Sequence, residues 1–61
     1  MFRIEFVDDG ILRECNTDNS FTAAVLFDNL QRSYTQVYWY RINLSGEEEL
    51  FQFYNSNQIA A

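Results

Sequence analysis

A chain of 61 residues with a net charge of −5 has room for one small domain, residues 1–61, and its charge opposes binding to nucleic acid or to anionic membranes. Its four positive charges are all arginines, and it contains neither lysine nor histidine. Hydrophobic burial contributes roughly 95 kcal/mol and chain ordering costs roughly 90 kcal/mol. We therefore expect a domain of marginal stability, which a homodimer or another stable protein partner would relieve.

The residue inventory excludes most catalytic chemistry. Without histidine there is no imidazole base and no imidazole metal ligand. The single cysteine, Cys15, forms neither an internal disulfide nor a thiolate zinc site. We expect a protein that is not an enzyme, with no catalytic residues, no metal and no cofactor. The longest apolar run, residues 23–27, is too short for a membrane span, and we expect a cytoplasmic location.

The first elements form a predicted β-hairpin. Residues 2–7 alternate apolar and charged side chains for most of their length, which is typical of a half-buried strand. The Asp-Asp-Gly sequence at 8–10 is a strong turn signal, because glycine accepts a positive φ without steric cost. Residues 11–15 are then predicted to return as the second strand.

The register of this hairpin is open. Two registers place opposite charges across the strands: a turn centred on positions 8–9 pairs Arg3 with Glu14, and a three-residue loop pairs Glu5 with Arg13. The alternative, with the turn centred one residue later, places Glu5 opposite Glu14. That pair of like charges disfavours it.

A helix follows the hairpin. Residues 16–20 are all polar residues that can cap a helix, and the apolar spacing is helical from there to about residue 34. The predicted core stripe consists of Ala23, Leu26, Phe27, Leu30 and Tyr34. Phe21 and Val25 lie on the opposite side of the helix, where they are a candidate binding pair.

A second hairpin is predicted after the helix. Residues 35–44 are rich in β-branched and aromatic side chains, Ser45 and Gly46 supply the turn, residues 48–54 return, and residues 55–61 are expected to fray. The more apolar face, assigned to the core under the helix, carries Tyr38, Tyr40, Ile42, Phe51 and Phe53. The open face, and with it the candidate partner-binding surface, is assigned to Val37, Trp39, Arg41, Leu50 and Tyr54.

The order hairpin, helix, hairpin predicts an α+β fold of the ββαββ type, with a small four-stranded sheet and one helix packed on one face. This element order resembles that of the β-grasp architecture. The resemblance implies that the first and fourth strands pair in parallel at the centre, with the strand order second, first, fourth, third. A fully antiparallel sheet under one helix is the alternative.

The aromatic sheet face carries the functional prediction. Trp, Tyr and Arg are enriched at interface hot spots, so a face with Trp39, Arg41 and Tyr54 predicts a non-catalytic protein-interaction module. An inhibitor of the phage or mobile-element type that binds a host protein is one such module. If the two sheet faces are inverted, Trp39 belongs to the core instead.

The acidic residues offer a different hypothesis. They gather at the two predicted turns, as Asp8 and Asp9 at the first and Glu47, Glu48 and Glu49 at the second. Surface carboxylates can imitate the phosphates of nucleic acid and block a basic groove. With the helix crossing the sheet, however, the two turns are expected at opposite ends of the domain. A homodimeric structural or accessory domain is a further alternative.

Overall fold

The computed structural model describes residues 1–56, and its elements follow the predicted order. They are β1 (Phe2–Asp8), β2 (Ile11–Thr17), α1 (Ser20–Gln31), β3 (Gln36–Ile42) and β4 (Glu48–Asn55). The four strands form one sheet with a single helix, so the predicted α+β class is confirmed. Across the described residues, no helix is long and apolar enough to cross a membrane.

The strand order is β2-β1-β3-β4, and every neighbouring pair is antiparallel. The parallel arrangement implied by the β-grasp resemblance is therefore wrong, and the fully antiparallel alternative is confirmed. The burial of the last two strands gives the reason. β3 contributes two buried side chains, Val37 and Trp39, and takes a central place, whereas β4 begins with exposed glutamates and takes an edge.

The core lies between α1 and one face of the sheet. Its buried side chains are Ile4, Phe6, Ala23, Phe27, Val37 and Trp39. The helical stripe is as predicted, because Leu26, Leu30 and Tyr34 pack against this core beside Ala23 and Phe27. Phe21 is 77% exposed and Val25 is 42% exposed.

The start of α1 also follows the sequence. The predicted capping run contains Asn19, whose extended backbone and side-chain oxygen make it the N-cap. Its Oδ1 accepts a hydrogen bond from the Thr22 N–H at 3.0 Å, and its own N–H donates to Thr17 Oγ1 at 3.2 Å. These bonds satisfy donors that the first turn of a helix leaves open.

The face assignment of β3 was wrong. Val37 is fully buried and Trp39 is 7% exposed, both on the helix side. They stand beside the buried residues of β1 in the sheet, Val37 opposite Phe6 and Trp39 opposite Ile4. Tyr38, Tyr40 and Ile42 alternate with them and lie on the other face, only partly buried. Tyrosine suits that position because its hydroxyl can remain near water.

A β-bulge in β4 changes the prediction for that strand as well. Trp39 pairs with Gln52 and Tyr40 pairs with Leu50, so Phe51 is the extra residue between them. The Phe51 ring contacts Trp39 with centroids 4.8 Å apart, on the helix side. The inserted residue shifts the alternation, and Leu50 and Phe53 consequently share the open face.

The first hairpin has the register that the sequence disfavours. Asp9 and Gly10 form a two-residue turn with φ values of 53° and 80°, as the tight hairpin turn with two positive φ values requires. Glu5 therefore lies opposite Glu14, and both opposite-charge registers were wrong. The turn residues decide this register, and Arg3 on β1 supplies positive charge beside both glutamates.

The two hairpin turns lie at opposite ends of the domain, as predicted, because β1 and β3 are antiparallel neighbours. The prediction that residues 55–61 fray was wrong for the first two of them. β4 continues to Asn55, and the Ser56 N–H donates to the Thr35 carbonyl at 3.0 Å. The rest of that predicted tail, 57–61, lies outside the described residues.

Candidate functional site on the open sheet face

The face of the sheet turned away from α1 is covered by no element of residues 1–56, and we call it the open face. Cross-strand registers and side-chain contacts assign its residues. They are Arg3, Glu5 and Val7 of β1, Leu12, Glu14 and Asn16 of β2, Gln36, Tyr38, Tyr40 and Ile42 of β3, and Glu48, Leu50, Phe53 and Asn55 of β4.

Arg3 organises the charges of the open face. Its Nε lies 2.9 Å from Glu5 Oε2 and 3.7 Å from Glu14 Oε2, and its Nη1 pairs with Glu48. The guanidinium carbon stands 5.0 Å from the centre of the Tyr40 ring, within the range of a cation–π interaction. The side chain thus starts on β1, crosses β3 over the tyrosine ring and reaches β4.

The open face carries more negative than positive charge. The hydrogen bond that Arg3 donates to Glu48, with the nearby carboxylates of Glu5 and Glu14, raises the pKa of Arg3, so this group stays cationic. Three carboxylates face this one guanidinium. The face consequently carries an excess of two negative charges.

The Glu5–Glu14 pair breaks a local rule of sheet structure. Like charges directly opposite each other on neighbouring strands are destabilising. Violations of such local rules are expected at functional or strained sites. Glu14 is 56% exposed at its side chain, so its carboxylate remains accessible from the open face.

Apolar side chains flank these charges. Leu12, Leu50 and Phe53 are each about half exposed. Leu50 lies opposite Tyr40, and Phe53 lies opposite Tyr38. These cross-strand pairs place an aromatic and aliphatic surface on the β3–β4 side of the open face. Exposed apolar patches on a folded domain commonly mark an interaction site.

The predicted partner-binding residues do not come together. Val37 and Trp39 are core residues, and Tyr54 packs against the core. Arg41 is exposed and pairs with Glu49 at 3.2 Å, opposite Phe2. Leu50 alone of that set lies on the open face.

The predicted outer pair of the helix, Phe21 and Val25, is exposed but stands apart from the open face. It shares the outer side of α1 with Asp28 and Arg32, which form an ion pair at 3.3 Å.

Most of the predicted acidic residues have partners. Asp8 pairs with Arg13 at 3.1 Å, and Glu48 and Glu49 pair with Arg3 and Arg41. These pairs neutralise part of the charge at each turn.

An open cleft of about 350 Å³ lies at the β3–β4 turn, lined by Arg41, Asn43, Glu47, Glu48 and Glu49. Asn43 organises this turn, because its Oδ1 accepts hydrogen bonds from the Ser45 N–H, the Ser45 hydroxyl and the Glu47 N–H. The Ser45 hydroxyl also lies 3.1 Å from Glu47 Oε1. Throughout residues 1–56, no three acidic or cysteine side chains are grouped to hold a metal ion.

The sequence alone did not indicate that one surface contains Arg3, Glu5, Glu14 and Tyr40. The available signal was the charge alternation in β1, which brings Arg3 and Glu5 to the same side of a strand. Its significance depends on Glu14 and Glu48, which arrive from two other strands.

Comparisons with protein-family models, with curated proteins and with solved structures found no match for this chain. By its fold and its open face, the protein is a small antiparallel α+β domain with one uncovered sheet face that combines aromatic and acidic side chains.

Tyr40 gives a measurable property of this face. Burial raises the pKa of Tyr40 above 10, the nearby Glu5 carboxylate adds to the rise, and the Arg3 guanidinium opposes it. We expect the difference between tyrosinate absorbance titrations of the wild type and Tyr40→Phe to have its midpoint above 10. The neutral phenol stabilises the fold fully below the unfolded value, and this contribution is lost as pH rises through the folded pKa. A midpoint at or below 10 would contradict the partial burial of this ring.

Proposed function

We propose that this protein is a non-catalytic protein-interaction module that docks a partner protein on the open face. The observation that carries the proposal is the exposed surface formed by Leu50 and Phe53 beside Tyr38 and Tyr40 on a sheet face that no described element covers. Aromatic side chains within a polar rim are the usual composition of a protein interface.

The small size and acidity of the domain favour an inhibitor of the phage or mobile-element type that acts in the cytoplasm on a host protein. We prefer this to mimicry of nucleic acid for two reasons. The acidic residues of the turns lie at opposite ends of the domain, and Asp8, Glu48 and Glu49 are paired with arginines. Mimicry requires a continuous row of free carboxylates to replace the phosphates.

The proposal is tested by capture of proteins from a lysate of the host cell, quantified by mass spectrometry. The test variant is Leu50→Ser/Phe53→Ser, and the matched control is Phe21→Ser/Val25→Ser, which removes an exposed apolar pair from the outer side of α1. We expect a partner that the wild type and the helix control retain equally and that the open-face variant loses by about tenfold or more. Circular dichroism verifies that both variants remain folded.

Two outcomes would overturn the proposal. A partner retained equally by all three proteins would place the binding surface elsewhere, and a partner lost only by the helix control would place it at Phe21 and Val25. Sedimentation of the wild type tests the homodimer alternative. A dimer that Leu50→Ser/Phe53→Ser dissociates would assign the open face to a second copy of the chain.

A further inference from the structure

The excess negative charge of the open face indicates the chemistry of the partner. We propose that the partner presents an arginine or lysine side chain to Glu5 and Glu14, together with an apolar side chain that contacts Leu50 and Phe53. This inference rests on the proposed function and adds what the docked protein must carry.

Arg3 leaves the Glu14 carboxylate, which is 56% exposed, available for such a cation beside the less exposed Glu5. Its guanidinium lies over Tyr40 and pairs with Glu5 and Glu48, whereas the Glu14 oxygen is 3.7 Å from Arg3 Nε, beyond ordinary hydrogen-bond distance. Each ionised carboxylate can accept several hydrogen bonds. A cation placed between Glu5 and Glu14 would replace their mutual repulsion with attraction to both.

Charge complementarity separates this partner from the alternatives. Two copies of the chain placed face to face would bring six carboxylates against two guanidiniums, so the same excess opposes self-association through this face. Nucleic acid phosphates and anionic lipids carry the sign that the face already has in excess. Like-charge contacts across an interface are strongly unfavourable, which excludes wrong partners.

The sheet register gives the spacing that the partner must match. Glu14, Glu5, Tyr38 and Phe53 lie in one row across the four strands. Neighbouring strands are about 4.8 Å apart, so Glu5 and Phe53 are separated by roughly 10 Å. Residues seven positions apart on one face of a helix have about the same separation. A cation at Glu5 would also stand beside the Tyr38 ring, where a cation–π contact is within reach.

The experiment is selection of a random displayed peptide library on the wild-type protein, followed by affinity measurements on variants. Peptides that bind the open face are identified by their loss of binding to Leu50→Ser/Phe53→Ser. The test variant is then Glu5→Gln/Glu14→Gln, which leaves Glu48 as a partner of Arg3. The matched control is Asp18→Asn/Asp28→Asn, which removes the same net charge from exposed positions outside the open face.

We expect the open-face peptides to contain arginine or lysine, to bind Glu5→Gln/Glu14→Gln about tenfold or more weakly, and to bind the aspartate control within about twofold of the wild type. Open-face peptides without a basic residue, equal losses in the two charge variants, or no open-face peptide at all would overturn the inference. A lysate partner that requires Leu50 and Phe53 but tolerates Glu5→Gln/Glu14→Gln would refute the cation and leave the proposed function intact. A lysate partner that binds equally well without Leu50 and Phe53 and without the charges of Glu5 and Glu14 would refute both the cation and the proposed function.

Discussion

Trp39→Ala is expected to remove much of the domain's free energy of unfolding. The indole is 7% exposed and contacts Phe2, Phe27 and Phe51, with ring centroids 6.2, 5.5 and 4.8 Å away. Truncating a buried aromatic side chain to alanine costs about 3–5 kcal/mol. A domain of this length has a total free energy of unfolding of roughly 3–9 kcal/mol. Urea unfolding followed by circular dichroism measures the difference.

Trp39→Phe is the matched variant, because it keeps an aromatic ring in the core. Within residues 1–56 the buried Nε1–H of Trp39 has no hydrogen-bond acceptor, and an unsatisfied buried donor costs about 1–3 kcal/mol. Removing this donor offsets part of the lost volume, so we expect Trp39→Phe to cost only about 1 kcal/mol.

A half-exposed ring on the other face provides the control. Phe53→Ala should change the free energy of unfolding far less than Trp39→Ala, since Phe53 is 51% exposed. Equal destabilisation by these two alanine variants would show that the helix does not cover the Trp39 side of the sheet. Because Trp39 is a core residue, weaker partner binding by Trp39→Ala would reflect the loss of folded stability rather than a lost contact with the partner.

Local signals in the sequence were sufficient for the elements of this fold. The polar run that contains Asn19 predicts the start of α1, because a cap depends only on residues within one helical turn. The spacing of Ala23 and Phe27 likewise predicts the buried side of the helix. Both signals lie within a short stretch of the chain, although the side chains that bury Ala23 and Phe27 come from the sheet.

The faces of the second hairpin required long-range information. Both alternating sets of β3 are rich in apolar and aromatic residues, so period alone does not choose between Trp39 and Tyr40 as the core side. Pairing with β1 decides it, because Ile4 and Trp39 are cross-strand neighbours under the helix. The bulge at Phe51 then breaks the two-residue period of β4, and no glycine there signals it.

The candidate site was missed for a related reason. A pairwise rule disfavours Glu5 opposite Glu14, and that rule is correct for two isolated strands. Arg3 changes the balance because its guanidinium lies near both glutamates. It also pairs with Glu48, which stands 45 positions after Arg3 in the chain. A surface assembled by four strands is visible only when their order and registers are known.

Arg3→Met is the second substitution with a large expected effect, because it removes the cation from three carboxylates. The Arg3 side chain is 20% exposed, whereas Glu14 and Glu48 are about half exposed, so water screens part of the remaining repulsion. We expect a loss of about 2 kcal/mol in the free energy of unfolding, below the 3–5 kcal/mol typical of a fully buried pair. Urea unfolding at low ionic strength measures this loss.

Because electrostatic repulsion between the carboxylates causes this loss of stability, two changes that weaken the repulsion should restore part of it. Arg3→Met/Glu14→Gln should recover about half of the lost stability, since one of the three like charges is gone. Added sodium chloride should narrow the gap between Arg3→Met and the wild type, because the Debye length falls to about 3 Å at 1 M salt. A gap that persists unchanged in salt and in the double variant would assign the role of Arg3 to packing over Tyr40.

The same substitution should affect binding in the opposite direction. Arg3→Met leaves Glu5, Glu14 and Glu48 without their shared cation on the open face. Basic peptides that bind this face should therefore bind Arg3→Met more tightly than the wild type, even though the variant is less stable. Such opposed effects would show that Arg3 stabilises the fold by supplying a positive charge to the open face. They would also show that this charge lowers the affinity for a basic partner, which brings its own positive charge to the same carboxylates.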